Sequence, residues 1–246
     1  MSFATMIQGT EGLQFEHTAD KRHPFGVAMV FTDGREFAYG QAGASNLDVG
    51  KLAQQAVVTS GHTKGLLVAA DAAIGATAIS ITNATSAITK DMYKEGVLFV
   101  NDAVGEGYQY KIKSHPAEST GTGTCVITLV EYGGLRVALT TASRVGLRKH
   151  ICDSVLVAPT TITGVLVGAT VRAMTALYYG WFQVKGMATV LTNGVVVVGE
   201  PVTRSVTTPG AVDPYNEDGT GNHTPIGEVL SVASSTEYSL IDLNIR

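Results

Sequence analysis

The chain has 246 residues, enough for one large or two modest domains with a sizeable apolar core. Hydrophobic residues make up 45% and charged residues only 15%, against roughly 25% charged in a typical soluble domain. Lys+Arg 17 against Asp+Glu 21 leaves −4, so there is no basic excess to wrap nucleic acid. Abundant Gly, Thr, Ala and Val favour strands and turns over helices.

Residues 1–24 are polar and irregular and are expected to form an extended N-terminal arm. MSFATMIQGTEG lacks a basic segment followed by an apolar core, so no signal peptide is expected. Phe25–Phe31 and Arg35–Tyr39 bracket Thr32-Asp33-Gly34, and Asp-Gly between strand-like runs predicts a hairpin. Ser45-Asn46-Leu47-Asp48 has the form of a capping box. Leu47, Leu52, Ala53, Ala56 and Val57 then recur at helical spacing, which predicts one short helix from about Leu47 to Val58.

Strand character returns in Leu66–Ala70 and Thr77–Thr82. Val97–Asn101 and Tyr108–Lys113 flank a turn from Asp102 to Gly107. In the second strand Tyr108, Tyr110 and Ile112 share one face and Gln109, Lys111 and Lys113 the other, so one face is buried and one wet. Thr124–Glu131 and Leu135–Thr141 surround Tyr132-Gly133-Gly134, a further hairpin signal. Thr141–Asp153 reads as a polar, basic loop and the natural division of the chain. Val155–Val157 and Thr161–Val171 are extended.

Tyr178–Val206 carries the strongest strand code and the single tryptophan, Trp181. Gly186–Thr192 and Val195–Gly199 flank Asn193-Gly194, which predicts a type I′ hairpin. Val195–Val198 has no polar alternation, so both of its faces are expected to be covered. Thr208–Thr224 reads as a long surface loop, and Ile226–Val232 and Glu237–Ile245 as closing strands. The expected fold is mainly β, a β-dominated α+β chain of two β-modules of sandwich or barrel type with one short helix. The expected domains are 1–24 (arm), 25–145 and 146–246.

Chemical templates fit poorly. Gly105-Glu106-Gly107 lacks the third glycine of a dinucleotide fingerprint, and Gly61-His62-Thr63-Lys64-Gly65 misses phosphate-loop spacing. Glu16, His17, Asp20 and His23 could form a metal cluster only if the arm folded back; a solvated arm is the plainer reading. Pro214 and Pro225 stand where a calcium loop around Asn216–Gly219 needs its first Asp and its bidentate Glu. Cys125 and Cys152 match no metal or redox spacing and read as buried thiols, a disulfide staying open. Arg144, Arg148, Lys149 and His150 form a basic cluster suited to an acidic protein partner or, less well, to nucleic acid. Tyr178, Tyr179, Trp181 and Phe182 read as core or subunit interface, with sugar or base stacking as the other reading. No catalytic, cofactor-binding or metal-ligating residues are assigned, and no enzyme activity is expected. The run Ile162–Val171 is too short to span a bilayer.

Three features carry a family resemblance: Tyr179-Gly180-Trp181, the Asn193-Gly194 strand pair ending at Gly199, and Ile226-Gly227 opening the last strands. Together with Tyr93–Pro116, they resemble structural proteins of tailed-bacteriophage heads, most closely the capsid decoration (cement) proteins. The resemblance implies a virion structural protein on the outer surface of the head, assembled in the host cytoplasm. It implies a homo-oligomer, a trimer, that bridges major capsid protein subunits and touches neither nucleic acid nor membrane. A tail-tube or other virion lattice subunit and a carbohydrate-binding β module are the rival readings.

Overall fold

The computed structural model describes residues 6–83, 86–119, 123–130, 132, 134–216 and 223–245. Among these, strands dominate and the sole helical element is a 3-10 turn, Leu13–Phe15. The chain forms two compact units. Unit 1 comprises 1–56 and 151–246, and unit 2 comprises 57–150. Unit 1 contains β1 (Met6–Gln8), β2 (His17–Thr18), β3 (Ala28–Val30), β4 (Glu36–Gln41) and β5 (Leu52–Gln54). Unit 2 contains β6 (Leu66–Val68), β7 (Ala78–Thr82), β8 (Val97–Asp102), β9 (Gln109–Ser114), β10 (Thr124–Leu129) and β11 (Arg144–Arg148). Unit 1 resumes with β12 (Leu156–Val157), β13 (Leu166–Thr170), β14 (Tyr179–Leu191), β15 (Pro201–Arg204), β16 (Val212–Pro214), β17 (Gly227–Ser231) and β18 (Tyr238–Asn244).

Unit 1 is built on β14. Its first half, Gly180–Val184, is buried without interruption, as expected of a strand covered on both faces. β14 pairs with β4 from Tyr179↔Gln41 to Lys185↔Glu36, and with β18 from Lys185↔Asn244 to Leu191↔Tyr238. The ladder passes from one partner to the other at a register shift, where Gly186 takes φ +82. Side-chain strain excludes most residues from that conformation, so glycine is required there. The Gln183 amide stitches the bend, its Nε2–H groups donating to the carbonyls of Lys185, Gly186 and Met187 at 3.2, 3.2 and 2.8 Å. The main path of the sheet runs β1-β3-β4-β14-β18-β17-β15-β16.

One core of this unit is aromatic: Trp181, Tyr39, Phe37, Phe31 and Met29. Trp181 meets Tyr39 edge-on at 5.1 Å between ring centroids, and Phe31 lies 5.1 Å from Phe37. The Asp33-Gly34 hairpin forms as the sequence predicts. β3 and β4 are antiparallel, Gly34 has φ +88, and Phe31 N–H donates to Arg35 O at 2.9 Å.

Unit 2 is a closed six-stranded barrel, β10-β7-β6-β11-β8-β9. Alternating residues point inward, among them Ile79 and Ile81, Leu98 and Val100, and Ile127 and Leu129, and they fill the interior. The predicted β8–β9 pairing is present. Tyr110 and Ile112 face in and Gln109, Lys111 and Lys113 face out, while Tyr108 precedes the strand and is exposed.

Several sequence expectations are corrected. The helix over 47–58 does not form. Residues 52–55 are buried in succession, which one stripe of a helix cannot provide, and β5 pairs instead with β12 and β13. Long-range pairing overrides the local apolar spacing. The described part of the 1–24 arm is folded into unit 1: β1 pairs with β3 and β2 with β14. The single cut at 145/146 is replaced by two crossings, after Ala56 and before Ile151, because β4 and β5 find their partners in the C-terminal half.

Thr141–Asp153 is not a loop throughout, since β11 runs through it as a barrel strand. Residues 135–139 pair with 72–76 and not with β10. Val195–Gly199 is not a strand, and the predicted Asn193-Gly194 hairpin is absent. Gly194 does take φ +81. However, Asn193 N–H donates to Val212 O at 2.8 Å and its side-chain amide to Asp213 Oδ1 at 2.8 Å, so the chain leaves β14 in another direction.

Candidate functional site

The residues after Asn193 form the most conspicuous surface of unit 1. Gly194 N–H donates to Ser235 Oγ at 3.0 Å, Gly199 N–H to Val229 O at 2.9 Å, and Val229 N–H returns to Glu200 O at 3.1 Å. These bonds tie Val195–Val198 at both ends alongside the segment from Val229 to Ser235. Only Val196 turns inward, joining the core with Val229 and Ile241. Val195 is 83% exposed, and Val197 and Val198 are each 58% exposed. Beside them Leu230 and Val232 are 42% and 51% exposed.

The expectation that both faces of this run are covered is therefore overturned. A four-valine run with one inward side chain leaves Val195, Val197 and Val198 in water. Isolated exposed apolar residues are ordinary, but a contiguous group marks a contact surface. The apolar run was legible in the sequence. Its exposure was not, because exposure depends on what lies across from it.

The other candidate residues do not converge. Trp181 is 2% exposed and Phe182 fully buried, so these two offer no face to a sugar or a base, while Tyr178 and Tyr179 are half-buried. His17 Nε2 accepts the Thr175 N–H at 2.9 Å, while His23 packs against Tyr39 and Trp181. Burial and the nearby Arg172 charge lower the His17 pKa. Among the described residues, no group of three or more His, Cys, Asp or Glu is placed to hold a metal ion. The calcium-loop candidate lies mostly outside the described residues, since 217–222 are not among them.

Gly105 and Gly107 form the expected tight turn, at φ +88 and +86. His62, in the glycine-flanked segment, is fully buried and bonded. Its Nε2–H donates to Ser86 O at 3.0 Å and its Nδ1 accepts from the Tyr93 hydroxyl at 2.6 Å. His115 Nε2 accepts the Tyr93 N–H at 2.9 Å and its Nδ1–H donates to Pro116 O at 2.9 Å. Both imidazoles brace the backbone around Tyr93 inside unit 2.

Arg144 and Arg148 are the first and last residues of β11, and both are half-buried. Burial lowers the Arg148 pKa, partly offset by Tyr93. Cys125 and Cys152 are both buried and form no disulfide. Burial first, then the Glu118 charge, pushes the Cys125 thiol up to about 11. No helix is long and apolar enough to cross a membrane among the described residues.

The fold defines a β-dominated protein with one closed barrel and one large mixed sheet. No protein-family model, curated protein or solved structure matches the chain.

Proposed function

We propose that this chain is a structural subunit of a tailed-bacteriophage virion that decorates the outside of the head and stabilises it by bridging major capsid protein subunits. The observation that carries the reading is the group of exposed apolar side chains Val195, Val197, Val198, Leu230 and Val232, on a segment hydrogen-bonded to Val229 of β17. Such a group is costly in water and is relieved by burial against another protein. The composition points the same way: with 15% charged residues, much of the exterior is suited to lattice contacts. The subunit acts as a homo-oligomer, a trimer, and needs no nucleic acid, membrane or cofactor. Its action is mechanical. A ligand that binds only the expanded shell lowers the free energy of that state, and many copies multiply the effect by mass action.

The test mixes purified protein with expanded heads lacking the decorating subunit and with precursor shells, followed by sedimentation and negative-stain imaging. Saturable binding to expanded heads alone is expected, with loss of binding in the double variant Val197→Glu, Val198→Glu. Failure of the wild-type protein to associate with either particle defeats the proposal. Self-assembly into hollow tubes would instead favour a tail-tube subunit.

A further inference from the structure

Arg204, the last residue of β15, is 6% exposed and has no acidic partner among the described residues. Its Nη1–H donates to Gly164 O at 3.3 Å, and its Nη2–H groups donate to Pro159 O at 2.9 Å and Gln54 Oε1 at 3.1 Å. Gln54 is held for this role by its own amide, which donates to Thr163 Oγ1 at 2.8 Å. All three acceptors are neutral. Among the described residues no carboxylate is bonded to the guanidinium, whose pKa is lowered by burial alone. Its Nε–H is shut off from water and has no acceptor.

The surrounding cavity, about 480 Å³, supplies the other half of the argument. His223 lines it, and the His223 Nε2 is also buried and unbonded. The remaining wall is mixed, with Val165, Leu166, Ile226 and Ile245 on its apolar side and Thr224 and Asn244 on its polar side. A cation buried without a counter-charge is unfavourable unless an anion completes it. With Nη2 committed to Pro159 and Gln54, the donor left over is Nε–H, which suits one oxygen of a carboxylate, and one positive charge without a counter-charge among the described residues matches one negative charge. A dianion would bring surplus charge against the apolar side of the wall. A cavity of this volume lies within the range of small-molecule sites.

We propose that this cavity of unit 1 binds a monocarboxylate carried on an aliphatic body, received by Arg204 Nε–H and His223 Nε2–H after a small side-chain shift uncovers these two covered donors, with the hydrocarbon laid against Val165, Leu166 and Ile226. The site is independent of the virion reading and would stand if that reading fell.

The test titrates octanoate into the full-length protein by calorimetry, with octanol and inorganic phosphate as comparisons. Saturable octanoate binding is expected, with octanol weaker by at least about tenfold, the factor a lost charge-assisted hydrogen bond carries. Arg204→Met is expected to lose a similar factor. Where that variant fails to fold, Val165→Glu decides. Val165 is 56% exposed, so the substitution leaves Trp181 emission native while placing a rival carboxylate in the cavity wall, and octanoate affinity falls at least about tenfold. Absence of saturable octanoate binding, equal binding of octanol or phosphate, or unchanged affinity in Val165→Glu overturns the assignment.

Discussion

Phe182→Ala tests whether unit 1 is organised around β14. Phe182 is fully buried, packed with Ala38, Ala42, Cys152, Val167 and Met174 in one core cluster. Gly40 approaches so closely that an added Cβ there would stand 2.8 Å from the Phe182 ring. The backbone on that side is held in the β4–β14 ladder, so it cannot collapse into the space the ring leaves. The loss therefore reaches at least the middle of the range for Phe→Ala core substitutions, about 4 kcal/mol. With a urea slope of about 2 kcal/mol/M, the unfolding midpoint falls by about 2 M. Trp181 is the only tryptophan and lies in unit 1, so its emission during urea unfolding reports this unit. A midpoint within about 0.5 M of wild type, equivalent to about 1 kcal/mol at that slope, would refute the claim that β14 carries the core.

Two further predictions concern titrating groups. The folded state holds the His17 pKa below its ordinary value, chiefly by burial and then by Arg172. The neutral ring is thus favoured in the native protein, while the unfolded chain takes up protons near pH ~6.5. The stability His17 confers is full above that pH and is lost as pH falls through it, levelling off below the native pKa. The difference in urea midpoint between wild type and His17→Asn should shrink from pH 8 to pH 5, and a difference independent of pH would contradict this. The Cys125 thiol, fully buried and raised to about 11, should resist an aromatic disulfide reagent at pH 8 until denaturant opens unit 2. Rapid modification of a Cys152→Ser protein under native conditions would show that the barrel interior is accessible.

Local signals translated well wherever one turn or one alternation decided the outcome. Asp33-Gly34 turned, Tyr110 and Ile112 went inside, and Ile226–Val232 and Glu237–Ile245 became paired strands. The same reasoning failed where a distant partner decided. Leu47, Leu52, Ala53, Ala56 and Val57 have helical spacing, yet β12 and β13 claim the backbone at Leu52–Gln54. The candidate surface was half-legible: the four valines stand out in the sequence, but nothing local reveals that only Val196 finds a core. Arg204 carries no local signal, since a lone arginine in a strand-rich segment is indistinguishable in sequence from a solvated side chain. Only the neutral acceptors around it mark it as special.

By itself the amino-acid order determined that this would be a strand-built protein with tight glycine turns and a central run at Tyr178–Val206. Those properties follow from side-chain shape and backbone freedom within a few residues. Tertiary structure decided that the first 56 residues share a unit with the last 96, that the intervening segment closes into a barrel, and which apolar residues stay in water. Strand partnership and exposure depend on contacts between residues far apart in the chain. Many pairings are compatible with the same local pattern, and only the assembled packing selects one of them.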